Sequence, residues 1–208
     1  MQHFHTFLSS IVFTPVFAMA FPLTQGQSTW TACPPKYPTA LQCADIIVPL
    51  DYADHGSETL SLTLLKLPAR NSTARQSSIV FQDGGPGIPT SSALITAASD
   101  DNLLLGEVQT YFDLIVADPR GVGMNYPVKC DPELTRNATS YFPRTEDEYE
   151  QTVSRLGAMG QSCYERTGKV MDYMDTLTQA KDLEAARVAI GEGPLNYCKP
   201  SPWHTITI

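Results

Sequence analysis

Charge is scarce in this chain, and positive charge is scarcest. Charged residues make up 17% of the 208 positions, against roughly a quarter in ordinary soluble domains. With 14 Lys+Arg against 22 Asp+Glu the formal charge is −8, which excludes a basic surface for nucleic acid. Histidine is limited to His3, His5, His55 and His204. No C-x-x-C pair occurs and no histidine stands at ligand spacing from a cysteine, so a zinc site is excluded and no metal is expected. A G-x-G-x-x-G fingerprint is also missing, and no cofactor is expected. No segment reaches the roughly 20 apolar residues that a membrane span needs, and there are no internal repeats. Enough apolar content remains for a core, since 42% of residues are hydrophobic, well beyond a disordered composition.

What is present begins with a leader. Residues 1–20 hold no Lys, Arg, Asp or Glu, and an apolar stretch from Phe7 to Ala20 ends in Ala18-Met19-Ala20. This reads as a secretory signal peptide with an A-x-A cleavage site, although the usual basic start is missing. Cleavage after Ala20 removes the segment, so no membrane association is expected afterwards. Asn71-Ser72-Thr73 and Asn137-Ala138-Thr139 match the N-glycosylation acceptor, which carries meaning in a eukaryotic secretory pathway and makes a secreted, extracellular glycoprotein the expectation. In that oxidising compartment the cysteines should pair. Four cysteines allow three connectivities; Cys33–Cys43 with Cys130–Cys163 is the favoured one, because each pair closes a local loop, and it leaves Cys198 over.

Two strand-like runs, Ala44 to Tyr52 and Thr59 to Leu67, flank the turn Asp54-His55-Gly56-Ser57 and predict a β-hairpin. Ser78 to Gln82 and Tyr111 to Ala117 are short unbroken apolar runs, as expected for strands buried on both faces of a mainly parallel sheet. Thr145 with Glu148 predicts a helix with a stripe of Tyr149, Val153, Leu156 and Cys163, stopping at Gly168. Thr176 with Gln179 predicts a second, with Leu177, Ala180, Leu183 and Ile190 on one face and Gly191 as its C-terminal cap. Leu195-Asn196-Tyr197 reads as a further strand.

Each buried strand is followed by a glycine loop. In Asp83-Gly84-Gly85-Pro86-Gly87 the glycines leave backbone N–H groups open to a substrate oxyanion, or they simply make a tight turn. A phosphate cradle is rejected, because Pro86 removes a donor where phosphate would sit. In Asp118-Pro119-Arg120-Gly121-Val122-Gly123 an ion pair between Asp118 and Arg120 would pin the loop, so both are read as structural support of a site.

Taken in order, Cys43-Ala44-Asp45-Ile46-Ile47-Val48-Pro49-Leu50-Asp51-Tyr52 behind Cys33, then Gln82 to Gly87, Phe112 to Gly121 and Thr176 to Gly191 resemble secreted α/β-hydrolases of the prolyl and tripeptidyl aminopeptidase family. The resemblance runs from about Trp30 to Tyr197. It implies an α/β-hydrolase fold, a mainly parallel sheet flanked by helices, with the nucleophile strand beside the strand that ends in Gly84-Gly85. It also implies oxyanion-hole donors at Gly84 and Gly85. The implied reaction is acyl transfer from a peptide, or from a small ester or amide, to a serine. Asn125 departs from the family, whose members often carry serine there.

That reaction needs a G-x-S-x-G elbow followed by Asp and His, and the chain contains no G-x-S-x-G. Ser201 and His204 are no substitute, because Pro200 and Pro202 enclose the serine. The expected organisation is a signal peptide at 1–20, the N-terminal part of a hydrolase domain at 21–197 truncated before the elbow, and an unmatched tail at 198–208. The chain as written is therefore expected to be inactive, with no catalytic triad. Competing readings are a non-catalytic secreted glycoprotein with a binding or regulatory role, and an esterase-type hydrolase once completed. A retained intron explains the tail: Cys198-Lys199 can be encoded by TGT-AAG, which contains a GTAAG splice donor. Sequencing the cDNA across codons 195–208 should reveal a spliced message that continues into an elbow; an unspliced message as the only product would rule the intron out.

Overall fold

The structure is a computed structural model that describes residues 28–85, 87–100, 104–136 and 142–198. The leader, Pro86, the sequon at Asn137, and Ser201 and His204 lie outside the described residues.

The sheet starts with β1 (Thr31–Ala32), β2 (Gln42–Pro49) and β3 (Thr59–Leu67). β2 and β3 form the expected antiparallel hairpin, in register from Gln42↔Lys66 to Pro49↔Thr59. Alternation sets this register: Ala44, Ile46 and Val48 point inward while Asp45 and Ile47 point out, and slipping one residue would reverse every side chain. The chain continues through β4 (Ser77–Phe81), α1 (Thr90–Asp100), α2 (Val108–Tyr111) and β5 (Phe112–Val116). Next come α3 (Pro132–Arg136), α4 (Glu146–Thr167), α5 (Thr176–Ile190) and β6 (Tyr197–Cys198).

The strand order is β1-β2-β3-β5-β4-β6. β5 and β6 both run parallel to β4, whereas the β1–β2, β2–β3 and β3–β5 pairs are antiparallel. The sheet is thus mixed rather than mainly parallel, because the hairpin and β1 supply half of its strands. β6 lies beside β4, the strand that leads into Gly84-Gly85.

Both sheet faces are covered, which explains the unbroken apolar runs. On one face Leu65, Leu67, Phe81, Leu114 and Val116 pack with Leu94 of α1. On the other, Ile46, Val48, Leu62 and Leu64 meet Ala185, Ala186 and Ala189 of α5, and Val80 and Ile115 meet Ile190. β4 and β5 present alternate residues to these two helices, so neither face can be polar.

The buried face of α5 differs from the expected one. It consists of Asp182, Ala185, Ala186, Ala189 and Ile190, while Leu177 is 65% exposed. Alanines let the helix axis approach the leucine-rich hairpin closely, which a stripe of leucines would prevent. The cap also shifts by one residue: the Asp175 carboxylate, not Thr176, accepts the N–H groups of Leu177 and Thr178 at 2.9 and 3.0 Å. Gly191 ends the helix in the left-handed conformation as read.

α4 begins as expected, with Thr145 Oγ1 accepting the Glu148 N–H at 3.2 Å, an interaction worth about 1 kcal/mol. Its apolar stripe does not enter the core: Tyr149, Val153 and Leu156 are each about half exposed, and Cys163 is buried because it is bridged to Cys130. That bridge joins positions 33 apart, and Cys33–Cys43 joins positions 10 apart. Chain-entropy arguments assign them about 4 and 3 kcal/mol respectively.

The amino end of β4 is held by Glu192. Its carboxylate accepts the Ser78 N–H at 2.7 Å and the Ser77 hydroxyl at 3.0 Å, and pairs with Arg75, which also binds Asp113 at 2.9 Å. Burial raises the Glu192 pKa, but the bonds from Arg75, Ser77 and Ser78 outweigh it and hold the carboxyl below its ordinary range. A lowered folded pKa gives stabilisation that is full above the unfolded value and is lost as pH falls through the folded one. Urea midpoints of the native chain should therefore fall below about pH 4 more steeply than those of Glu192→Gln. Parallel acid limbs would show that the carboxylate contributes nothing.

Candidate active site

Connection handedness determines where the sheet opens. From β4 the chain crosses through α1 to β5 on one side; from β5 it returns through α5, past β4, to β6 on the other. Right-handed crossovers in opposite directions place α1 and α5 on opposite faces and leave a crevice outside the carboxyl ends of β4 and β6. A cavity of about 410 Å³ opens there and runs beneath α5 to the hairpin, lined by Gln82, Asp83, Gly85 and Gly87 after β4, Ala117 and Asp118 after β5, Tyr197 of β6, Thr176, Gln179, Asp182 and Leu183 of α5, and Ile46, Leu62 and Leu64 of the hairpin. That is within the range of small-ligand sites.

Of the two glycines read as oxyanion donors, Gly85 lines the cavity and Gly84 does not. The Gly84 N–H is donated to the Asp83 carboxylate at 2.7 Å. Gly85 has a φ of +104°, and a Cβ there would stand 2.7 Å from Ile88 Cδ1. Its carbonyl accepts the Ile88 N–H at 3.2 Å, which closes the turn. The loop is pinned to α1 where the Asp83 N–H meets Thr90 Oγ1 at 3.0 Å.

Asp118 and Arg120 do not pair with each other. Asp118, 1% exposed, accepts the Ser91 N–H at 3.0 Å and also the Ser91 hydroxyl, so it caps the start of α1 from the loop after β5. The loop folds onto it so tightly that a Cβ on Gly123 would lie 2.1 Å from Asp118 Oδ2. Arg120 instead makes a two-pronged ion pair with Asp182 of α5, Nε to Oδ2 and Nη2 to Oδ1, both at 2.7 Å. It also donates to the carbonyls of Leu50 and Pro49 at 2.7 and 3.0 Å. In a fully extended segment two residues at this spacing would share a face; here the chain turns at Arg120-Gly121, and Asp118 meets α1 while Arg120 meets α5.

Sequence reading missed four roles here. Asp182 is an acid on the alanine face of α5, a position that demands a buried cation. Tyr52 donates its hydroxyl to Asp182 at 2.9 Å; burial first, and then the Asp182 charge, push its pKa well above the ordinary tyrosine value. Ser91 receives Asp118. Asn125, 1% exposed, accepts the Thr63 N–H at 2.8 Å and donates to the Asp118 carbonyl at 2.7 Å, stitching β3 to the loop. At the cavity wall the Tyr197 hydroxyl donates to Gln82 at 2.7 Å, and its pKa is raised, chiefly by burial.

No known protein-family profile matches the chain. It is 28% identical to tripeptidyl aminopeptidase of Streptomyces lividans over 174 residues, 81% of this chain and 32% of that protein. It is 29% identical over 196 residues to serine protease Hip1 of Mycobacterium tuberculosis, 86% of this chain and 35% of that one. The chain is α/β-hydrolase-like. With carboxylesterase B of the same bacterium it shares 28% identity over 185 residues, 81% of this chain and 34% of that protein. The α/β-hydrolase-like chain thus spans about a third of the length of the curated relatives it matches.

Among the described residues no group of three or more His, Cys, Asp and Glu is placed to hold a metal, and no helix is long and apolar enough to cross a membrane.

Arg120→Leu should strand Asp182 and cost about 3–5 kcal/mol in urea unfolding. Arg120→Lys should recover only part of this, since one ammonium cannot reproduce a fork. A loss under about 1 kcal/mol for the leucine variant, the scale of an exposed pair, would remove this ion pair from its structural role.

Proposed function

We propose that the chain is the N-terminal part of an exported serine hydrolase that releases N-terminal residues or short peptides by acyl transfer. The observation that carries this reading is the glycine turn at the crevice between β4 and β6, with Gly85 on the wall of the cavity. The likeness to a tripeptidyl aminopeptidase and a serine protease over more than four-fifths of the chain supports it.

In this reading a serine attacks the scissile carbonyl at the crevice, and the oxygen that gains charge accepts the N–H groups of Gly84 and Gly85. Gly85 already faces the cavity, whereas Gly84 must exchange its bond to Asp83 for the substrate oxygen. Asp118, Arg120 and Asn125 keep the surrounding loops in place and take no part in proton transfer. The serine, the acid and the histidine are absent from this sequence and would have to follow β6 in a longer product. The two disulfides and the apolar leader support export. Likeness to a carboxylesterase favours a second reading, in which the completed site cleaves esters.

The 208-residue chain should leave a tripeptidyl anilide and a short acyl ester intact, while the product of a spliced, longer message should cleave the anilide. In that product Gly84→Pro, which deletes one donor, should lower kcat by about 10²–10³ with little change in KM. Cleavage of the ester alone would favour the esterase reading, and cleavage of neither would defeat both.

A further inference from the structure

We propose that Asn71 carries an N-linked oligosaccharide, at the end of β4 opposite the crevice; this rests on the export reading and on no assumption about catalysis. Asn71, Ser72 and Thr73 are all exposed, in a tight turn between β3 and β4. The turn is fixed from behind, because the Asn71 N–H donates to the Thr110 carbonyl at 3.0 Å and the Arg70 N–H to that of Gln109 at 3.2 Å. Within it the Thr73 hydroxyl donates to Asn71 Oδ1 at 2.7 Å, and the Ala74 N–H donates to the same oxygen at 3.2 Å. Among the described residues Asn71 Nδ2 has no hydrogen-bond partner, so the nitrogen that would bear sugar faces water.

These bonds matter chemically. An amide nitrogen is a poor nucleophile because its lone pair is delocalised into the carbonyl. Two donors on Oδ1 polarise the carboxamide and make an Nδ2 proton easier to remove. The co-substrate is a polyprenyl-pyrophosphate-linked oligosaccharide, delivered by a transferase. Nδ2 attacks the anomeric carbon, the C–N bond forms, and the bond from that carbon to the phosphate oxygen breaks. The pyrophosphate leaves with the electron pair, and the Nδ2 proton passes to a base of the transferase. The contacts to Oδ1 span only two and three residues, so the turn that makes them is local and can form before the sheet exists.

Position makes the modification compatible with the fold. The turn precedes Ser77 at the amino end of β4, and the cavity lies beyond Phe81 at its carboxyl end. Five residues at about 3.3 Å each separate the two, so a glycan neither obstructs the crevice nor enters the packed sheet faces.

The test is expression in secreting eukaryotic cells, with the native leader and, in parallel, with residues 1–20 replaced by a leader known to direct export. Glycosidase treatment should shift the mobility of the native sequence, and release in heavy-oxygen water should leave the label on residue 71. Asn71→Gln and Thr73→Ala should each remove one glycosidase-sensitive step, Thr73→Ser should restore it, and Asn137→Gln should leave the label at residue 71. No label at residue 71 on a chain carrying the replacement leader overturns the proposal. Label at residue 71 with the replacement leader but no export with the native one retains the site and overturns the export reading instead.

Discussion

The Arg120 guanidinium has no access to solvent, so all of its partners must come from protein, and they come from distant parts of the chain. Pro49 and Leu50 end the first hairpin strand, Asp182 lies on α5, and Arg120 itself follows β5. A buried ion pair adds little net stability compared with well-packed apolar residues. Its effect is discrimination: only one placement of α5 over the hairpin brings a carboxylate to the cation, and any other leaves a bare charge in a dry interior. The alanine face of α5 is compatible with this arrangement because it gives close approach without imposing a register of its own. The polar fork then selects the register that the alanines leave undetermined.

What was legible from sequence follows the range of the interaction involved. The hairpin, the doubly buried strands β4 and β5, the extent of α5 and its glycine stop at Gly191 depend on alternation or on neighbours a few residues away, and they could be read. α1 could not, because its first turn is capped by Asp118, 27 residues beyond Ser91. The partners of Asp118 and Arg120 were misread for a related reason: proximity in sequence suggested a pair, while the loop sends the two side chains in different directions. Asn125 looked like a neutral departure from a family pattern until its amide was seen joining Thr63 to the Asp118 backbone. The exposed stripe on α4 is the opposite case, a helical period that was real although nothing in the described fold covers it.

The crevice owes its position to topology more than to any individual side chain. Where the connections diverge, a crevice opens outside the strand ends, and the loops after β4 and β5 share its lining with α5 and the hairpin. A turn containing glycine fits such a lining, since Gly85 adopts a φ of +104° that other residues resist. The candidate oxyanion donors are therefore tied to the strand order, and the support residues act one layer away by holding the loops that border it.

That strand order also imposes a timetable. Val80 pairs with Tyr197, so one wall of the crevice is synthesised roughly 110 residues after Gly87, which at about 5–20 residues per second is a delay of order 5–20 s. During that interval β4 has only one neighbour in the parallel part of the sheet and its other edge is open. A nascent chain at this stage presents a bare glycine loop beside an unpaired strand edge, which stays open to pairing with another chain until β6 arrives.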